Sequence, residues 1–156
     1  ATIDLAEVTE DMGFKNFKAL RRLRDEFRGI DGFDYAVVDS VGGINYEFLA
    51  SLWVSDVVLV PVQIGRWSLK ALTLIHSRIQ SIPAEIRPEM IAVPSRVSEK
   101  QGDALRHKIT DTYCRVSATT ILSKGPVVTA IEKGESLKSE YLEMYGQLAS
   151  EVIENG

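Results

Sequence analysis

Phe33-Asp34-Tyr35-Ala36-Val37-Val38-Asp39-Ser40-Val41-Gly42-Gly43 is the stretch on which the fold reading turns. Tyr35 to Val38 form a short, nearly all-apolar run that stops at a carboxylate followed by small residues. A run of that kind predicts a strand buried on both faces, the kind found in parallel sheets. In open parallel sheets, ligands sit beyond the carboxyl ends of the strands, so Asp39 is expected to project into such a crevice, beside a loop loosened by Gly42 and Gly43. The same aspartate could instead cap the helix that follows, a common use of Asp after a strand.

Working outward, three further apolar runs read as strands: Val57 to Val62, Met90 to Pro94 and Ala118 to Leu122. Amphipathic segments separate them. A basic helix begins at Phe14, with Phe17, Leu20, Leu23 and Phe27 on one side and Lys15, Lys18, Arg21, Arg22, Arg24 and Arg28 around it. The next runs from about Asn45 to Val54 and places Phe48, Leu49, Leu52 and Trp53 on an apolar stripe. Leu69, Leu72, Ile75, Ile79 and Ile82 form the buried face of a third. Ser98 and Gln101 have capping-box spacing for a fourth, and Tyr141, Tyr145, Leu148 and Val152 mark the buried side of the last. Strand-helix alternation of this kind predicts an α/β fold, with a mostly parallel sheet covered by helices on both faces. With no repeat or linker in view, residues 1–156 read as a single domain.

Composition narrows the classes. At 45% hydrophobic residues the chain can bury a core, and a net charge of −4 argues against a wholly basic nucleic-acid binder. Cys114 is the only cysteine, so neither an internal disulfide nor a cysteine zinc cluster can form; a reducing, cytoplasmic setting suits this. His76 and His107 lie apart in helical patterns and read as helix-surface or packing residues. No apolar run approaches the roughly 18 residues that span a bilayer, so no membrane association is expected. The opening segment lacks an initiator methionine and reads as a cut or processed start.

The order of these motifs resembles the ParA/MinD/Soj group of P-loop ATPases, which partition plasmids and chromosomes or position cell machinery. Ile3 to Ala6 resemble the segment before that family's basic helix, and FDYAVVDS resembles the strand bearing its Mg²⁺-associated aspartate, here Asp39. The most specific match is LASLWVSDVVLVPVQ, with Leu49, Leu52, Asp56, Pro61, Val62 and Gln63 in step. SLKALTLI is similar to the helix that follows. PSRVSEK is similar to the segment near the adenine, and VVTAIEKGESL to a later one in which Ala130, Gly134 and Ser136 correspond.

The resemblance implies Mg²⁺ and ATP as cofactors, Asp39 as catalytic and metal-associated residue, and Ser40, Gly42, Gly43, Ser95 and Arg96 as nucleotide-side residues. It also implies self-association or pairing with a ParA-type ATPase, a partition adaptor protein as partner, and nonspecific DNA contact through Lys100, Arg106, Lys108 and Lys124. The sequence departs from the family in places. Val41 and Gly42 stand where two prolines are usual, and Ser95 where asparagine is frequent. No glycine-rich loop with lysine, able to converge backbone N–H groups on phosphates, can be written from these residues. The expectation is therefore the C-terminal part of a ParA-like ATPase that does not hydrolyse ATP alone. A non-catalytic interaction module is the alternative, and a flavodoxin-like or response-regulator-like domain fits less well because Asp4, Glu7, Glu10 and Asp11 precede a helix.

Overall fold

The computed structural model describes residues 17–40, 43, 45–109, 114–122, 133–136 and 139–154. It divides into two compact units, one of residues 1–56 with 80–88, the other of 57–79 with 89–156.

The described part of the first unit is built on two helices, α1 (Phe17–Arg28) and α2 (Tyr46–Val54). In α1 the apolar positions fall at helical spacing and bury Leu20 and Leu23, while Phe17 lays its ring 5.7 Å from that of Trp53. Asn45 starts α2 by accepting the Phe48 N–H at 3.0 Å through its side chain, the local bond that makes Asn a favoured cap. At the other end of α2, Arg24 donates to the Trp53 carbonyl at 2.7 Å and the Ser55 carbonyl at 3.4 Å. These are carbonyls that the helix cannot satisfy itself, and a cation is favoured there by the helix dipole. Asp56 sits beside the guanidinium groups of Arg24 and Arg28. Arg24→Ala is accordingly expected to cost about 1–2 kcal/mol in urea unfolding. Arg22→Ala, which removes only an exposed i,i+4 pair with Glu26, should cost no more than about 0.5 kcal/mol.

The second unit is the α/β part. Its sheet is formed by β1 (Val57–Val62), β2 (Glu89–Val97), β3 (Arg115–Val116) and β4 (Ile121–Leu122). β2 is the common partner: β1, β3 and β4 each pair with it in parallel. Its residues 90–94 are buried without interruption, so both faces of β2 are covered. The helices of this unit are α3 (Arg66–Gln80, whose final residue falls in the first unit), α4 (Glu99–Ile109) and α5 (Ser139–Glu154). α4 opens with a reciprocal capping box: the Ser98 N–H donates to Gln101 Oε1 at 2.9 Å, and the Gln101 N–H to Ser98 Oγ at 3.4 Å. Ile91, Val93 and Ile121 make a core cluster against which Val57 and the α5 residues Met144, Leu148 and Val152 pack. The α/β class and parallel sheet expected from the sequence are thus present.

One expectation is overturned. Tyr35 to Asp39 are not a strand and not buried: residues 31–40 have no ladder, and all are exposed, with Val37 at 95%. A strand needs neighbours for its backbone N–H and C=O groups, and no described strand pairs with this segment. β2, not the segment before Asp39, is the centre of the sheet. The fourth strand is also shorter than expected, Ile121–Leu122, and the pairing of Arg115–Val116 was not anticipated.

Candidate functional site

The residues singled out from sequence fall in two places. Asp39 and Ser40 end the exposed segment of the first unit, and Gly43 follows, exposed, at φ 138° in the region that only glycine enters readily. Val41 and Gly42 lie outside the described residues. Asp39 therefore offers a carboxylate on exposed backbone without a ladder partner among the described residues, not a group held at a strand tip. A Mg²⁺ ion bound with nucleotide needs octahedral oxygen donors shared with cradled phosphates. Asp39 on exposed backbone does not make that set by itself. Among the described residues, no group of three or more His, Cys, Asp or Glu side chains is gathered for a metal ion.

Ser95 and Arg96 lie at the carboxyl end of β2, the edge where parallel sheets place ligands. Ser95 is half-buried, and its hydroxyl donates to the Val93 carbonyl at 3.0 Å. Arg96 adopts φ 56°, the left-handed region, at the place where the pairing of β2 with β4 shifts register between Ser95 and Val97. A bulky residue held there stores strain, and the bulge turns its guanidinium outward into solvent.

Of the residues considered for DNA contact, Lys100 and Lys108 are exposed on α4, and Lys124 lies outside the described residues. Arg106 is engaged within the fold. It donates to the Ala118 carbonyl at 2.9 Å and to Thr120 Oγ1 at 3.0 Å, and approaches Asp103 at 3.7 Å. Glu99 and Asp103 are exposed on the same helix, so its solvent side carries both signs of charge. His76 is half-buried on α3 and His107 exposed on α4. Burial pushes the Cys114 thiol up from its ordinary pKa, which keeps it protonated and poorly nucleophilic.

The most highly organised polar cluster was missed in the sequence. Glu151 of α5 accepts from Ser117 Oγ at 2.9 Å, the Ala118 N–H at 2.9 Å and the Thr119 N–H at 3.1 Å. These three donors belong to the turn just after β3, and Ser117 is fully buried. Burial alone would raise the pKa of Glu151, but the hydrogen bonds outweigh it and hold the carboxyl below its usual range. An open pocket beside this turn is lined by Glu99, Thr120, Tyr141, Glu143 and Glu154 as well as Glu151. Nothing local in the sequence marks Glu151, because its partners are more than thirty residues away. Among the described residues, no helix is long and apolar enough to cross a membrane.

Comparison with protein-family models returned no match, and comparison with curated proteins returned none either.

Proposed function

We propose that this chain is a portion of a ParA-like partitioning ATPase, with Asp39 as its switch aspartate and the phosphate-binding loop contributed by residues other than these. The observation that supports this reading most is the segment from Leu49 to Gln63. The resemblance implies a helix, an aspartate break and then a parallel strand in that order, and the chain runs α2 to Val54, Asp56, then β1 from Val57 in parallel with β2. In this reading the chain works in the cytoplasm beside DNA and a partition adaptor, and acts as half of a nucleotide site, not as an autonomous enzyme.

A second reading is a non-catalytic interaction module that pairs with an intact ATPase of the same family or with a DNA-binding adaptor. The exposure of Phe33, Tyr35 and Val37 favours it, since an apolar run of this kind on the surface is suited to a partner.

Complementation separates the two. The chain is mixed with a polypeptide carrying the glycine-rich, lysine-containing half of a ParA-type ATPase, and Mg²⁺-ATP turnover is followed. The ATPase reading expects no turnover from either part alone, turnover from the mixture, and loss of about 10²-fold or more with Asp39→Ala. A stable complex without turnover supports the interaction module. Failure of the two parts to associate at any concentration overturns the first reading. Turnover by the chain alone would mean that these residues build a phosphate cradle after all.

A further inference from the structure

We propose that Glu151 is a pH-sensitive latch that seats α5 on the sheet, and that its protonation releases the helix and uncovers the apolar surface around Ile91, Val93 and Ile121.

The geometry gives the latch its parts. The turn at residues 117–119 points two successive backbone N–H groups and a buried hydroxyl at one spot, a small anion receptor of the kind that consecutive amides form. Glu151 fills it with both oxygens: Oε1 takes Ala118, and Oε2 takes Ser117 and Thr119. Such bonds to an ionised acceptor are roughly twice as strong as neutral ones. Elsewhere α5 is held by Tyr141, which is buried, and by the Leu122 N–H, which donates to Met144 Sδ at 3.2 Å. Met144, Leu148 and Val152 are only partly buried against the core cluster, whereas Leu142, Tyr145 and Ile153 face solvent. The polar anchor therefore lies in the last turns of α5, one turn beyond Leu148, where the flanking apolar side chains are only partly buried.

Release does not strand buried donors. The buried Ser117 hydroxyl has the Thr119 carbonyl at 3.0 Å as an alternative acceptor, and Ala118 is exposed and Thr119 half-exposed, so water can take over their N–H groups once the carboxylate leaves. The turn itself persists, because Arg106 holds it from the α4 side through the Ala118 carbonyl and Thr120 Oγ1, and Ser117 Oγ accepts the Thr119 N–H.

A group whose folded pKa is depressed contributes stability that is present above its unfolded pKa and lost as pH falls through the folded one. Acidification thus weakens the latch. Among the described residues, the charged groups that line the same pocket are Glu99 on α4 and Glu143 and Glu154 on α5, and Arg106, with its neighbour Asp103, holds the same turn. A variant that removes only the Glu151 charge at neutral pH isolates the latch from these neighbours.

The test is amide hydrogen exchange on the full chain, corrected for intrinsic rates, from pH 7 down through and well below the ordinary carboxylate range, to about pH 2.5, since the depressed group gives up its stabilisation only there. Glu151→Gln is expected to lower protection across Ser139–Glu154 by about tenfold or more at pH 7, the equivalent of one charge-assisted hydrogen bond, while β2 stays protected. The unmodified chain should lose helix protection on acidification, and the variant should show a flat profile over the same range. Ser117→Ala, which keeps the charge but removes one donor, should move the release of the helix to higher pH. Equal protection of α5 in Glu151→Gln and the unmodified chain overturns the proposal. So does simultaneous loss in α5 and β2, which would make Glu151 a general brace, and so does a release that Ser117→Ala leaves unmoved.

Discussion

Ile91→Ala is expected to destabilise the α/β unit by about 4 kcal/mol, in the upper part of the range for truncating a buried aliphatic side chain. Ile91 is fully buried in β2, at the centre of the cluster with Val93 and Ile121. How far a site can collapse around a deletion sets the cost within that range. Here collapse is restricted, because β2 is tied in parallel to β1 on one side and to β3 on the other, and position 91 itself is in register with Leu59 and Arg115. The backbone cannot move toward the void without breaking two ladders. Met144, Leu148 and Val152 can close part of it only by shifting α5, and Val57 is held in the β1 ladder opposite Glu89. Leu59→Ala provides the contrast. That side chain is 43% exposed on β1, and its loss should cost about 1 kcal/mol or less. Urea unfolding measures both, with the midpoint shifted and the slope unchanged. A loss below about 1 kcal/mol for Ile91→Ala would mean that β2 is not the pinned centre of the sheet.

The contrast between Ile91 and Val37 also shows what was legible in the sequence. The run Val57 to Val62 was read with its bounds correct, because Ser55 and Asp56 stop the preceding helix and Gln63 ends the apolar run. The Ser98/Gln101 pair marked a helix start correctly, since capping is a bond between neighbours three residues apart, and the apolar stripe placed the start of α2 near Asn45, whose capping bond is of the same local kind. The parallel α/β class followed from alternation. Tyr35 to Asp39 carries the same local signal as Val57 to Val62, and yet it forms no ladder among the described residues. Apolar runs report a capacity for pairing; whether a neighbour is at hand is not a local property. Arg115–Val116 fails in the opposite way, being two residues long with no periodicity to read, and is recruited as a strand by pairing with Ile91 and Ala92. The placement of Glu151 in the turn after β3 depends on the whole second unit being folded, so it was invisible along the chain. Of the residues nominated for a nucleotide site, Ser95 and Arg96 do lie at the carboxyl end of a parallel strand, whereas Asp39 does not.

The double variant Phe33→Ser/Val37→Asp is expected to weaken self-association of the chain by about a thousandfold. Phe33, Tyr35 and Val37 alternate along the sequence, so in an extended chain they project to one side, and they are 77%, 66% and 95% exposed. Full burial of an aliphatic or aromatic side chain contributes about 1.5–3 kcal/mol, so covering Phe33 and Val37 on association amounts to roughly 4 kcal/mol. At 1.4 kcal/mol per tenfold, that difference is about three decades in Kd. The backbone adds to the drive toward a partner, because residues 35–40 have no ladder partner among the described residues and a strand laid beside them would satisfy their N–H and C=O groups. An aspartate at position 37 opposes this by requiring a charge to be desolvated in the new interface. The folded monomer should be nearly indifferent to both changes, since neither side chain is buried in it. Sedimentation velocity across the micromolar range, with thermal melts alongside, separates association from stability: the unmodified chain should sediment faster as concentration rises, the variant should stay monomeric, and the two should melt alike at low concentration. An unmodified chain that remains monomeric throughout would sink the idea of a partner-seeking strand. It would mean instead that the apolar run from Tyr35 to Val38 is tolerated in water as it stands.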